Sequence, residues 1–266
     1  MTQKTKESKN FKYFDELIHS GSNKIVLDFD IVLDECEESE YLHGITVDLD
    51  DIVIDGNGHS IDACEKAAVF FITGKNIIIQ NITLKNGRGI KGGAIHNKGN
   101  LTIKESTLTK NTAEDGGAVY NDQKSNLTII NSTIRENIAK NDGGAIRNVH
   151  SNLSIMNSII CENIAKNDGG AICHSFNYGL TEVRRSLKEV ELRRYPELHA
   201  MAERNAQWTE RRLREKEIEN SRLIIEESSI TNNTAKNNGG AIWQNNENTL
   251  TLNNCNFSDN APDDVI

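Results

Sequence analysis

The sequence predicts an all-β fold, a right-handed parallel β-helix of about seven stacked coils, interrupted by an inserted α-helical hairpin or long kinked helix. Three observations carry this. The tetrapeptide Gly-Gly-Ala-Ile/Val recurs from Gly92, Gly116, Gly143, Gly169 and Gly239, with steps of 24, 27, 26 and 70, so the unit is near 26 residues. A second marker keeps the same phase, an apolar-x-apolar run with another apolar residue seven positions after its first. It reads Leu101/Ile103/Leu108, Leu127/Ile129/Ile134, Leu153/Ile155/Ile160, Leu223/Ile225/Ile230 and Leu250/Leu252/Phe257. The composition agrees: aromatics are 5% and all hydrophobic residues 36%, thin for a compact globule but sufficient for a narrow core of small and β-branched side chains.

Each apolar run alternates with period two and is too short and too interrupted by Asn and Gly for a helix, so it reads as a strand with one inward face. Ile77/Ile79/Leu84 adds a coil upstream, and Ile52/Ile54 with Ile61 a degenerate one before that. One coil cannot bury its own inner face; stacking at the ~4.8 Å strand spacing closes the core. Asn86, Asn111, Asn137, Asn163, Asn233 and Asn260 form one column after the second strand. Asn tolerates left-handed backbone and its amide can bond the same amide one coil away, so the column reads as scaffold at a tight corner. The glycines that follow permit positive φ at the next corner.

The ends and the interruption read differently. Phe11 to Ile18 is a short amphipathic helix, stopped near Gly21, that would cover the first coil. After Asn260 no cap is visible, so the last coil is expected to leave an open edge. The 70-residue step exceeds one period by about 44 residues, between Phe176 and Arg222. There arginine replaces lysine as the main cation, and Leu180, Val183, Leu187 and Val190, then Leu198, Met201, Trp208 and Leu213, follow helical spacing, with Pro196 suited to a helix start. Ten basic residues are matched there by nine acidic ones, which is a solvated charged face and a poor nucleic-acid surface. The organisation is thus 1–44 cap and first strands, 45–177 coils, 178–221 helical insertion, 222–266 coils again.

The repeats of the form Ser-Thr-Ile-Arg-Glu-Asn (132–137) followed by Asp-Gly-Gly-Ala-Ile (142–146) resemble those of chlamydial polymorphic outer-membrane proteins. They are still more similar to adhesin-like β-helix proteins of methanogenic archaea. Ile52 to Asp62, IVIDGNGHSID, resembles the opening coil of pectin-lyase-like solenoids. The likeness covers about 45–177 and 222–260; the segment 178–221 resembles nothing recognised. It implies the fold strongly and, more loosely, a cell-surface or extracellular adhesin-like protein that binds a glycan or a host or partner protein, since fold alone does not fix function.

The net charge of −9 argues against nucleic acid and anionic membrane as partners. No apolar run reaches the ~20 residues that span a bilayer, and the polar, lysine-rich start shows no signal peptide. Self-association through the last coil or the helical insert is a further expectation. The five cysteines, Cys36, Cys64, Cys161, Cys173 and Cys255, have no metal-ligand spacing and read as buried thiols.

No catalytic set is assigned. The seven histidines converge with no Asp pair or Ser nucleophile, and His59 belongs to the opening coil. Asp115, Asp142 and Asp168 stack before the glycine pairs, an oxygen row of the kind calcium accepts. Asn238 takes the same place in the next repeat, and Lys140 and Lys166 lie two residues away, so the row reads as a solvated ladder and no metal or cofactor is expected. A polysaccharide lyase or hydrolase, or a scaffold carrying a functional helical insert, are the alternatives. Asn100, Asn126, Asn131, Asn152 and Asn256 open N-x-Ser/Thr triplets that reflect composition. One column varies: His96, Tyr120, Arg147, Cys173 and Trp243 follow the Gly-Gly-Ala-Ile/Val copies and should point outward. Tyr120, Arg147 and Trp243 are the binding-face candidates, being side chains that anchor sugars or proteins.

Overall fold

A computed structural model describes residues 8–175, 221–245 and 250–265. Within them the chain is a parallel β-solenoid of four sheets. Each full coil runs in order through what we call sheets B, A, D and C. The coil of Asn126–Ile130, Thr133–Arg135, Ile138–Ala139 and Ile146–Val149 shows the plan. Its inward residues Leu127, Ile129, Ile134, Ala139, Ala145 and Ile146 are all at most 1% exposed. Every large one contributes on the order of 2 kcal/mol by leaving water, which is why the period-two pattern survives from coil to coil. Register is strict: Leu127 pairs Leu101 and Leu153, and Ile134 pairs Leu108 and Ile160.

Among the described residues sheet B has eight strands, which makes eight coils rather than about seven. The one not counted is the first, Lys24–Val26, Asp30–Val32 and Ile45–Val47, whose first two strands lie in the 1–44 segment expected to hold the cap and first strands. It lacks the Gly-Gly-Ala-Ile signature, and twelve residues (33–44) separate its last two strands, which hid it. The helix Phe11–Ile18 covers its open end with Phe11, Phe14 and Ile18 fully buried. Asn10 caps the helix by accepting the Tyr13 N–H at 3.1 Å. Glu37, only 5% exposed, accepts the Phe11 and Lys12 N–H groups at 3.2 and 3.1 Å. Glu37→Ala would leave both donors unmatched. A loss of about 2 kcal/mol and faster amide exchange across Phe11–Ile18 are expected, checked by urea unfolding and hydrogen exchange.

The corners differ in detail from the sequence expectation. Asn111, Asn137, Asn163, Asn233 and Asn260 do form an amide ladder, with side-chain bonds of 2.9 Å at every step. Asn86 is not its first rung. The ladder's Asn111 accepts from the Gly87 N–H, while Asn86 sits one residue earlier and bonds Asp62. Nor do the ladder amides occupy the left-handed region. The residue before each does: Lys110, Glu136, Glu162, Asn232 and Asp259, with Asn86 at the same place, all have φ between 54° and 58°. A second, unanticipated ladder joins sheets B and A, where Ser132 and Ser158 hydroxyls accept the N–H of Ser106 and Ser132. In the glycine pair only the first has positive φ, as at Gly143 (69°); the second lets stacked backbones approach. A Cβ on Gly144 would lie 2.0 Å from the Gly170 carbonyl oxygen.

Two further expectations are corrected. Of the five cysteines only Cys173 is buried; Cys36 and Cys64 are exposed, and Cys161 and Cys255 are half-buried. Cys36 stands on the short 3-10 helix Glu35–Glu37, Cys64 on a turn between sheets, and Cys161 on an outward strand position beside Arg135. The end of the last coil is not bare: Ala261 and Val265 form parallel bridges to Thr234 and Ile242, laying the segment after Asn260 over sheets D and C. The end of sheet B is more open, with Leu252 37% exposed. The expected helical insertion falls outside the described residues. Among those described, no helix is long and apolar enough to cross a membrane.

Candidate functional site

Sheet C carries the variable column. Ile95, Val119, Ile146, Ile172 and Ile242 point inward and are fully buried. The next residue of each strand therefore faces away from the core, and the register stacks Phe71, His96, Tyr120, Arg147, Cys173 and Trp243 in one line.

The lower half of this line is an interlocked cluster. The Phe71 and His96 rings lie 5.1 Å apart, and His96 meets Tyr120 edge-on at 5.5 Å. Asp122 sits beside them. Its carboxylate pairs with His96 Nε2 at 3.0 Å, Lys91 at 3.3 Å and Lys98 at 3.8 Å. Lys91 also stands 4.6 Å over the Tyr120 ring, and Lys98 5.8 Å over Phe71, in cation–π geometry. Burial alone would raise the Asp122 carboxyl; the His96 bond, the Gln123 N–H and the Lys91 charge outweigh it and hold it well below the usual carboxylate range. The carboxylate side chain is 13% exposed whereas Lys91 and Lys98 are 42% and 48% exposed, so the cluster presents its cations to solvent.

Upward, Arg147 donates to the Cys173 carbonyl at 3.3 Å and to its sulfur at 3.1 Å, and approaches Asp142 at 3.8 Å. Burial pushes the Cys173 thiol far up despite Arg147, so it stays protonated. Burial likewise raises the Tyr120 phenol. Of the three binding-face candidates, Tyr120 is only 8% exposed, its ring occupied by Lys91 and His96. Arg147 is largely committed to Cys173 and Asp142, and Trp243 is half-buried at the top of the line.

The acidic row is built by hydrogen bonding. The Asp115, Asp142 and Asp168 carboxylates accept the N–H of Asp142, Asp168 and Asn238 in turn, at 3.3, 3.3 and 3.1 Å. Burial raises the Asp142 carboxyl, against the pull of Arg147. Among the described residues no group of three or more His, Cys, Asp or Glu is placed to hold a metal ion.

Sequence reasoning missed Phe71, Lys91, Lys98 and Asp122. Their signal was a change of sign within a column: Lys91 pairs in register with Asp115, the first of the acidic row, and Lys98 stands one residue past Asn97 as Asp122 stands past Asn121.

A family model of the Chlamydia polymorphic membrane protein repeat matches residues 157–175 and 227–245. The two stretches lie on consecutive coils in strict register, Ile160 on Ile230 and Ile172 on Ile242, so the match describes one rung repeated. No curated protein and no solved structure matched the chain.

Proposed function

We propose that this protein is a non-catalytic, adhesin-like surface rod that binds a glycan or a partner protein through the outer face of sheet C. The observation that carries the reading is the Phe71–His96–Tyr120–Asp122 cluster with Lys91 and Lys98 outermost, a cationic aromatic patch in a chain of net charge −9. Every side chain in it is held by a neighbour one coil away, so little ordering entropy would be lost on binding. Its similarity to a membrane-protein repeat supports a surface location. In the same reading the coils wind right-handed, as parallel crossovers almost always do, in the manner of pectin-lyase-like solenoids.

The test is a glycan and protein array probed with three forms: the intact chain, Lys91→Glu/Lys98→Glu, and a chain lacking 178–220. For any ligand found, the double charge reversal is expected to weaken binding at least tenfold, and added salt to weaken it further. The deletion should leave binding unchanged. Binding that ignores the charge reversal, or disappears with the deletion while the rod stays folded, would move recognition off this face.

A further inference from the structure

Sheet D has a missing rung. It contains five strands, Arg88–Lys91, Thr112–Asp115, Ile138–Ala139, Ile164–Ala165 and Thr234–Ala235, whereas sheets A, B and C all continue into earlier coils. The cause is chain length. Between its sheet A and sheet C strands the coil beneath has seven residues (63–69), and the next has nine (86–94). The shorter path turns through Ala63, Ala67 and Ala68, all buried, and never reaches out to form a strand. One coil lower, twelve residues (33–44) swing out again. The result is a gap one rung high, with Leu42 and His43 on one side, Arg88, Gly89 and Ile90 on the other, and Lys66 beside them.

Three features show what this gap is shaped to take. First, among the described residues the strand Arg88–Lys91 has a partner on one edge alone. The Arg88 N–H faces the gap side, where it reaches the Ala67 carbonyl at 2.8 Å. Alternate residues of a parallel strand present N–H and C=O to the same side, so Ile90 offers both to the gap, where no strand lies. Second, Ile90 is 69% exposed and Leu42 53%, which makes them the two most exposed large hydrophobic residues described, and they border the same gap. Third, Lys66 is paired with Glu38 at 3.2 Å and Lys140 with Glu114 at 2.7 Å, while Arg88 makes no ion pair among the described residues.

We infer that the gap binds an extended peptide from a partner protein by β-strand addition: the peptide backbone pairs with Ile90, an apolar side chain covers Leu42 and Ile90, and one carboxylate pairs with Arg88. Two coil spacings of ~4.8 Å leave room for one added strand, and an open edge with a flanking apolar pocket is how such addition achieves affinity and selectivity. Lys91 ends the same strand, but neither it nor Lys98 borders the gap, and the site rests on Leu42, Arg88 and Ile90 without the reading above.

The probes are two fluorescent hexapeptides, one alternating valine with glutamate and one alternating valine with lysine, titrated against the full chain. The Val/Glu peptide is expected to bind and to slow exchange of the Ile90 amide, which should exchange fast in the free protein. Ile90→Pro removes the edge N–H at a position where an edge strand tolerates proline, and should weaken binding at least tenfold. Should that variant misfold, Arg88→Glu, a change at an exposed side chain, decides the matter: it should reject the Val/Glu peptide and accept the Val/Lys one. The inference is overturned if neither peptide binds, if Arg88→Glu leaves the preference unchanged, or if a folded Ile90→Pro binds as the parent does. It is overturned equally if the Ile90 amide is protected in the free protein, and protection that grows with protein concentration would place a second copy in the gap.

Discussion

Asn137→Ala is expected to destabilise the solenoid by about 4 kcal/mol, measured as the shift in urea unfolding against the parent chain. The Asn137 side chain is fully buried and serves three coils at once. Its Oδ1 accepts from the Asn111 backbone N–H and side-chain amide, both at 2.9 Å. Its Nδ2 donates to the Leu108 and Arg135 carbonyls at 3.0 and 2.9 Å and to Asn163 Oδ1 at 2.9 Å. Alanine strips partners from groups that water cannot reach, and each buried orphan costs roughly 1–3 kcal/mol. Asn126→Ala is the matching control. Asn126 also belongs to an amide ladder, between Asn100 and Asn152 at 2.9 Å each, but it is exposed. Water replaces those bonds, so a loss under about 1 kcal/mol is expected. Equal costs at the two sites would mean that the buried column is not what pins the corner.

Acid should unfold this protein through one buried histidine. Asn97, Asn121, Asn148 and His174 form a third internal ladder, all fully buried, in which each Nδ2 donates to the next rung at 2.7, 2.6 and 2.7 Å. Each of those three amides also donates to a backbone carbonyl, of Asn126, Asn152 and Ser151, which fixes the ladder's direction. Asn148 therefore presents a donor, and His174 Nδ1 must accept, with its proton on Nε2. Burial first, then the Arg147 and His150 charges, push the His174 pKa down to about 4 from an ordinary 6.5. A depressed histidine binds its proton more readily in the unfolded chain. Its full stability is present above pH 6.5 and is lost as pH falls from 6.5 to 4, by about 3 kcal/mol. His174→Asn continues the ladder without a titrating group. Its unfolding midpoint should fall less between pH 7 and pH 4.5 than the parent's; parallel decline of the two would assign the acid sensitivity elsewhere.

Much of the solenoid was legible because repetition amplifies weak local signals. A single apolar-x-apolar run is ambiguous, but five of them in phase with Gly-Gly-Ala-Ile/Val fix strand, face and register together. The helix Phe11–Ile18 was legible from its own amphipathic spacing. Legibility failed where a residue departs from its column. The first coil went uncounted because it lacks the Gly-Gly-Ala-Ile signature, although its Ile25 and Ile31 continue the columns of Ile54 and Ile61, and Asn86 was misplaced by one because its coil has Gly87 where the others have the ladder Asn. The candidate site was half legible: the variable line was found, but Tyr120 was taken as a solvent-facing anchor when Lys91 and His96 cover it.

By itself, then, the sequence determined the coil, its inward residues and its glycine and asparagine corners, because those depend on period and on backbone geometry that every repeat must satisfy. The tertiary structure alone decided which outward side chains remain free, which carboxylates are held down by neighbouring cations, and that sheet D lacks a rung beneath Arg88–Lys91. The first two depend on residues one coil apart, 24 to 27 positions in register, that meet only when coils stack at ~4.8 Å; the third depends on the short path, residues 63–69, that the coil beneath has between its sheet A and sheet C strands.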